Sequence, residues 1–153
     1  VAPARLYVGH WRHPMHAHGE PVLCQVVIDA AEPRLVAAQV AEHGVAREAD
    51  RRMLHTLDKV LRAQDVYDQP SAWGFTPCTV LPAWVRPTFS ESQIEELERI
   101  QGYLIEAPEH KVDTVLEVRD AFLQGIGVTD RHMCRAVREG GRYLPKNGRS
   151  TVN

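Results

Sequence analysis

The first thirty residues carry an apolar pattern typical of β-structure. Apolar and β-branched residues form two short runs, at 5–8 and at 22–28, and a polar, histidine-rich segment joins them. Runs of this length and composition are typical of strands. The pattern therefore predicts a long hairpin or two paired strands, the second of which ends at Asp29.

Beyond residue 32 the apolar spacing changes to that of helices. Pro33 suits the first turn of a helix, because its missing N–H has no partner there, and Gly44 suits a helix end. We therefore expect a helix from Pro33 to His43. A second helix is predicted over 46–64, where apolar residues recur at intervals of three and four. These residues are Ala46, Ala49, Met53, Leu54, Leu57, Val60 and Leu61.

The stretch from Asp68 to Thr88 is too rich in proline to be helical. It contains four prolines, at positions 70, 77, 82 and 87, which favour turns and edge strands. Residues 78–81 are the predicted strand. We expect the aromatic residues of this stretch, Trp73, Phe75 and Trp84, to cover one flank of the core.

A helix start is well specified at Ser90. Ser90 and Gln93 have the spacing of a capping box, and Phe89 and Ile94 have that of a hydrophobic staple. The following helix has a predicted buried face made of Ile94, Leu97, Ile100, Leu104 and Ile105.

The C-terminal third predicts two helices joined by a glycine turn. Residues 112–124 form the first helix, Gly125-Ile126-Gly127 the turn, and Thr129 caps a short last helix that ends near Gly140. Residues 143–153 are expected to be a mobile tail. The predicted fold is α+β: a small N-terminal antiparallel sheet, then about five helices ending in an αα-hairpin, within one domain spanning 1–153.

Composition places the chain among ordinary globular proteins. It has 153 residues, of which 44% are hydrophobic and 25% charged, and a formal net charge of −2. This length is sufficient for a core without covalent staples. No apolar run approaches the roughly 18 residues of a membrane span. Three widely spaced cysteines suggest reduced thiols, and we expect a cytoplasmic, intracellular protein.

The charges are segregated along the chain, and this indicates a binding surface. Seven acids lie between residues 91 and 113, whereas the segment from Arg131 to the end contains six bases, Arg131 included, and one acid. Helix, glycine turn and short helix are weakly similar to a helix-turn-helix, although neither glycine brings every packing position into register. The bases of the last helix and its end, Arg131, Arg135, Arg138 and Arg142, are the predicted contacts for nucleic acid or an acidic protein. A solvated face without a partner explains the same pattern.

Four of the eight histidines fall within nine residues, at positions 10, 13, 16 and 18. Imidazole is the commonest transition-metal ligand and titrates near neutral pH. His13, His16 and His18 are the candidate ligands for zinc or another transition metal, with His10 or Glu20 as a further ligand. The spacing matches neither a zinc finger nor a metalloprotease motif. A solvated loop and a pH-responsive surface are the other interpretations.

No catalytic signature stands out in the sequence. Cys24 lies near the histidines, which suggests a thiol nucleophile, but alternation places it on the apolar face with Val26 and Ile28. Gly125 and Gly127 lack the third glycine of a dinucleotide-binding loop. No cofactor is expected apart from the metal considered above.

The leading hypothesis is a non-enzymatic regulatory or inhibitory protein that binds a macromolecule. Nucleic acid bound by the arginine-lined C-terminal helix is slightly favoured over a protein partner. The alternative is a metal-dependent enzyme or metal sensor that uses the histidine cluster. A third hypothesis is a homo-oligomeric accessory protein that associates through Trp73, Phe75 and Trp84.

Overall fold

The fold is α+β, as the sequence predicts, and is seen in a computed structural model. The structure describes residues 4–17, 20–42 and 44–132, and describes 13–17, 20–23 and 42 through their backbone only. Its five strands are β1 (Leu6–Ala17), β2 (Glu20–Asp29), β3 (Arg34–Glu42), β4 (Val45–Glu48) and β5 (Thr76–Cys78). They form one antiparallel sheet in the order β4-β3-β2-β1-β5.

The predicted N-terminal hairpin is confirmed and is longer than the two apolar runs. β1 and β2 pair from Leu6–Asp29 to Ala17–Glu20, with an irregularity between His13 and His16. The backbone through His16 is therefore strand. A proline at position 14 fits this irregularity, because proline lacks the N–H that a regular ladder requires.

The helix predicted from Pro33 to His43 is wrong, because this segment is strand β3. It pairs with β2 from Leu23–Ala41 to Asp29–Arg34. Its alanines favour a helix in isolation, but pairing with β2, whose residues 26–29 are all buried, overrides that local preference. Gly44 does not end a helix; its φ of +78° lies in the turn that joins β3 to β4.

The turn between β2 and β3 is organised by Asp29, which is 1% exposed. Its carboxylate accepts hydrogen bonds from the backbone N–H groups of Ala31 and Glu32 at 3.0 and 3.1 Å. The Arg5 guanidinium donates to the same carboxylate at 3.0 and 3.1 Å. These bonds satisfy a charge that would otherwise be costly to bury.

The next helix, α1 (Arg51–Ala63), begins later than the predicted residue 46. Asp50 caps it by accepting a hydrogen bond from the Met53 N–H at 2.8 Å, and residues 45–48 form β4 instead. Leu57 and Leu61 of α1 are buried in a core cluster with Cys24, Val26 and Ile28 of β2. This cluster covers one face of the sheet.

The proline-rich stretch contains a short 3₁₀ helix (Pro70–Trp73) and then β5. β5 begins two residues before the predicted strand 78–81 and overlaps it only at Cys78. Phe75 is buried in the core cluster and packs directly over Gly9 of β1. Trp73 is 41% exposed, whereas Phe75 is only 3% exposed. Phe75 therefore cannot belong to an exposed aromatic patch of the kind proposed for oligomerisation.

Two long helices follow: α2 (Glu91–Glu106) and, after a short 3₁₀ helix (Glu109–Lys111), α3 (Val112–Gly125). The capping box is confirmed: the Gln93 N–H donates to Ser90 Oγ at 3.3 Å, and the Ser90 N–H donates to Gln93 Oε1 at 3.0 Å. Leu97, Ile100 and Leu104 are buried, as predicted. The predicted buried positions Ile94 and Ile105 are exposed.

The chain divides into two compact units, Val1–Leu81 and Pro82–Asn153. The expectation of a single domain over 1–153 stays a prediction. A final helical segment begins at Asp130 and is described to His132. The remainder of the predicted hairpin and the predicted tail 143–153 lie outside the described residues, so the count of about five helices is matched only in part. Of the helices described here, none is long and apolar enough to span a bilayer.

The close contact between Gly9 and Phe75 predicts a specific stability loss in Gly9→Ala. A Cβ atom on Gly9 would lie 2.9 Å from two ring atoms of Phe75. Because that ring is buried, we expect a loss of about 1–3 kcal/mol in the free energy of unfolding. Urea denaturation followed by circular dichroism measures it.

The control is Gly102→Ala in α2, where a Cβ atom meets nothing within 4 Å. Alanine is a better helix former than glycine, so this variant should gain about 0.5–1 kcal/mol. A Gly9→Ala protein as stable as the unmodified chain would show that the packing over β1 is not tight.

Candidate nucleic-acid interface

The two sides of α1 differ sharply in chemistry. Leu57 and Leu61 are buried, and Met53, Leu54 and Val60 pack against the same core. At about 100° per residue, the basic residues project from the opposite side within an arc of roughly 100°. They are Arg51, Arg52, His55, Lys59 and Arg62, all of them exposed. We call the first four the α1 basic face.

The single acid of α1 lies at the edge of this face and is engaged in local contacts. Asp58 is partly buried; one of its carboxylate oxygens accepts a hydrogen bond from the Tyr67 hydroxyl, and the other accepts one from Arg62 Nε at 3.0 Å. Burial, and then the bond to Asp58, raise the pKa of Tyr67 well above its usual range. Arg62 also donates to the Pro33 carbonyl at 2.6 Å. Asp58 and Arg62 are therefore held in local contacts, and no residue of the α1 basic face forms an ion pair with another described residue.

The first turn of α1 is basic, although helix dipoles favour acids there. Arg51 and Arg52 occupy the first two helical positions, and the first turn contains no acid. Cations at a helix N-terminus cost about 0.3–1 kcal/mol each, because the helix end carries partial positive charge. The Asp50 carboxylate already caps this positive helix end. Arg51 and Arg52 therefore carry the attraction for a negatively charged partner at this place.

Of the four predicted C-terminal arginines, the structure describes only Arg131. Arg131 is exposed and directly precedes His132, which is 2% exposed. His132 Nε2 lies 3.1 Å from the Pro82 carbonyl oxygen and donates to it, and His132 Nδ1 lies 3.0 Å from Thr129 Oγ1. These bonds anchor the helical start that exposes Arg131. Arg135, Arg138 and Arg142 lie outside the described residues.

Three of the four clustered histidines, His10, His13 and His16, lie along β1. His10 is exposed, His13 and His16 pair through their backbone with Val22 and Pro21, and His18 lies outside the described residues. The irregularity between His13 and His16 interrupts the alternation of an extended chain. Among the described side chains, no three His, Cys, Asp or Glu residues are grouped to hold a metal ion. A metal site at His13, His16 and His18 stays a prediction.

Cys24 is a core residue with an unreactive thiol. It is 0% exposed on β2, on the face it shares with Val26 and Ile28, as alternation predicts. Burial raises the pKa of the Cys24 thiol to about 11. Because the thiolate is the nucleophile, this environment opposes catalysis by Cys24.

The α1 basic face was not among the residues predicted from the sequence. Its signal was present there, since Arg51, His55 and Lys59 repeat at intervals of four. The sequence alone could not show that the apolar side of this helix packs against the core, which leaves the basic side facing solvent. No protein-family model matches the chain, and neither the curated proteins nor the solved structures contain a match.

Thiol labelling checks the assignment of Cys24 to the core. In a Cys78→Ser/Cys134→Ser background, Cys24 should react with iodoacetamide at pH 8 only as fast as the protein unfolds, because its thiol is buried and protonated. Mass spectrometry of timed samples measures the rate. The matched variant Cys24→Ala/Cys134→Ser retains only the half-buried Cys78 and should label faster. Equal rates for the two thiols would contradict a sealed core.

Proposed function

We propose that this protein is a non-enzymatic nucleic-acid-binding protein that contacts the phosphate backbone through the α1 basic face. The observation that carries the proposal is the side of α1 described above, on which only basic side chains are exposed over two and a half turns. From Arg51 to Lys59 the helix rises about 12 Å. Duplex DNA presents one negative charge per ~1.7 Å of its axis, so several phosphates lie within reach of this face.

An acidic protein partner is less well supported, because α1 offers no apolar anchor. Protein interfaces concentrate their binding energy in buried aromatic and apolar residues at the centre of the contact. The large exposed hydrophobic side chains of the described residues, Val45, Trp73, Val80, Ile94, Tyr103, Ile105 and Val118, all lie outside α1. A surface made of bases alone fits a partner recognised mainly by charge.

The C-terminal arginines extend the same proposal. Arg131 is exposed at the start of a helical segment, and Arg135 and Arg138 continue the spacing of four and three residues along the sequence. We propose that these residues and Arg142 supply further phosphate contacts. We propose that the protein acts in regulation or inhibition by occupying nucleic acid. Five of the seven acids between residues 91 and 113 lie on α2, and the other two, Glu109 and Asp113, lie in the following 3₁₀ helix and in α3.

Neutralising two bases of α1 tests the proposal directly. Arg51→Gln/Lys59→Gln should weaken binding to fluorescein-labelled random duplex DNA and single-stranded RNA in anisotropy titrations. For duplex DNA the slope of log K against log salt should become about two units shallower, since each phosphate contact contributes ~0.9. Stability should be unchanged or slightly higher, because Arg51 opposes the helix dipole.

The control is Arg12→Gln/Arg86→Gln, which removes the same charge from exposed positions outside α1. It should leave the salt slope unaltered. If both double variants bind equally well, net charge and not the α1 basic face governs the interaction. If the unmodified protein binds neither nucleic acid at low salt but binds a polyglutamate peptide, the partner is an acidic protein.

The C-terminal set is tested by Arg131→Ala/Arg135→Ala/Arg138→Ala. If all three arginines contact phosphate, the salt slope should fall by about three units while the melting temperature stays the same. When the triple change is combined with Arg51→Gln/Lys59→Gln, the two reductions in the salt slope should add, because the two sets of bases contact separate phosphates. A triple variant with full affinity would show that these arginines do not contact nucleic acid and would leave the α1 basic face as the proposed contact.

A further inference from the structure

A groove in the second unit has the size and lining of a small-ligand site. It lies between the C-terminal half of α2 and the N-terminal half of α3, is open to solvent, and has a volume of about 400 Å³. Pockets for small organic ligands have volumes of roughly 300–1,000 Å³ and mainly apolar walls. Ile100, which is 2% exposed, and Val115 form part of this apolar lining.

Two groups suited to stacking line the groove together. Tyr103 is 56% exposed, and the Arg99 guanidinium lies 5.5 Å from the centroid of its ring. Arg99 is held in place by Glu96, which accepts a hydrogen bond from Arg99 Nε at 3.0 Å. Aromatic rings and planar guanidinium groups both stack on flat ligands. Val118, 52% exposed, supplies a further apolar contact in the same lining.

One cation of the groove is available to an anion. The charged residues of the lining are Arg99, Lys111 and Glu106, and Arg99 is paired with Glu96 outside the lining. Lys111 is the N-cap residue of α3, so the positive end of that helix adds to its charge. Lys111 forms no ion pair with another described residue, which leaves its ammonium group available to a ligand.

We propose that this groove binds a planar aromatic anion, with its ring against Tyr103 and Val118 and its negative group at Lys111. This site is separate from the α1 basic face and does not depend on nucleic-acid binding by that face. The required chemistry is shared by nucleoside monophosphates and by aryl carboxylates. Arg99 contributes a stacking surface, since its charge is already paired with Glu96.

Titrations of the full chain with two probes distinguish the two ligand sources. AMP represents the nucleotides and indole-3-acetate the aryl carboxylates; adenosine and indole are their uncharged counterparts. We expect saturable shifts in ¹H–¹⁵N spectra at Tyr103 and Lys111 with at least one anion, and weaker binding of its uncharged counterpart. Binding of AMP alone identifies a nucleotide site, and binding of indole-3-acetate alone identifies an aryl-acid site.

Variants separate the roles of the ring and the charge. Tyr103→Ala should lower the affinity for the anion about tenfold or more, because the ligand loses its stacking partner. Lys111→Gln should lower the affinity for the anion about three- to fivefold, the effect of losing one exposed ion pair. The affinity for the uncharged counterpart should not change. Ile105→Ala, an exposed residue of α2 outside the groove lining, is the matched control. No saturable shift with either probe, or equal affinity in all three variants, would overturn the proposal.

Discussion

The packing of α1 against one face of the central sheet is the constraint on which the candidate interface depends. Cys24, Val26 and Ile28 of β2 and Leu57 and Leu61 of α1 are all fully buried in this contact. Rotating the helix would expose those leucines, each worth about 1.5–3 kcal/mol of burial. The apolar side of α1 therefore has one orientation, and its basic side must face solvent.

Local contacts around α1 reinforce that orientation and set its charge. Asp58 accepts hydrogen bonds from Tyr67 and Arg62, and Arg62 reaches the turn that precedes β3 through the Pro33 carbonyl. The one acid of the helix is thus engaged at the edge of the basic face. Arg51 and Arg52 remain in a first turn that disfavours cations. A local arrangement that costs stability is expected where binding requires it.

In the second unit, the sequence specifies the start of α2 strongly and the start of α3 only weakly. The reciprocal bonds between Ser90 and Gln93 begin α2 as its sequence predicts. α3 contains Arg119, a charged residue that is 4% exposed and pairs with its neighbour Asp120 at 3.2 Å. Between the two helices, Tyr103 and Val118 stay exposed beside buried Ile100, and this combination produces the groove.

The sequence by itself determined the α+β class, the N-terminal hairpin, the capped start of α2 and the inward position of Cys24, because alternation and capping depend on neighbours along the chain. Tertiary structure decided that residues 34–42 are strand, since pairing with buried β2 outweighs the helical preference of their alanines. It also decided which bases lie on an open face and that Ile105 is exposed while Phe75 is buried. Burial depends on which distant segments meet, and that is a property of the folded chain.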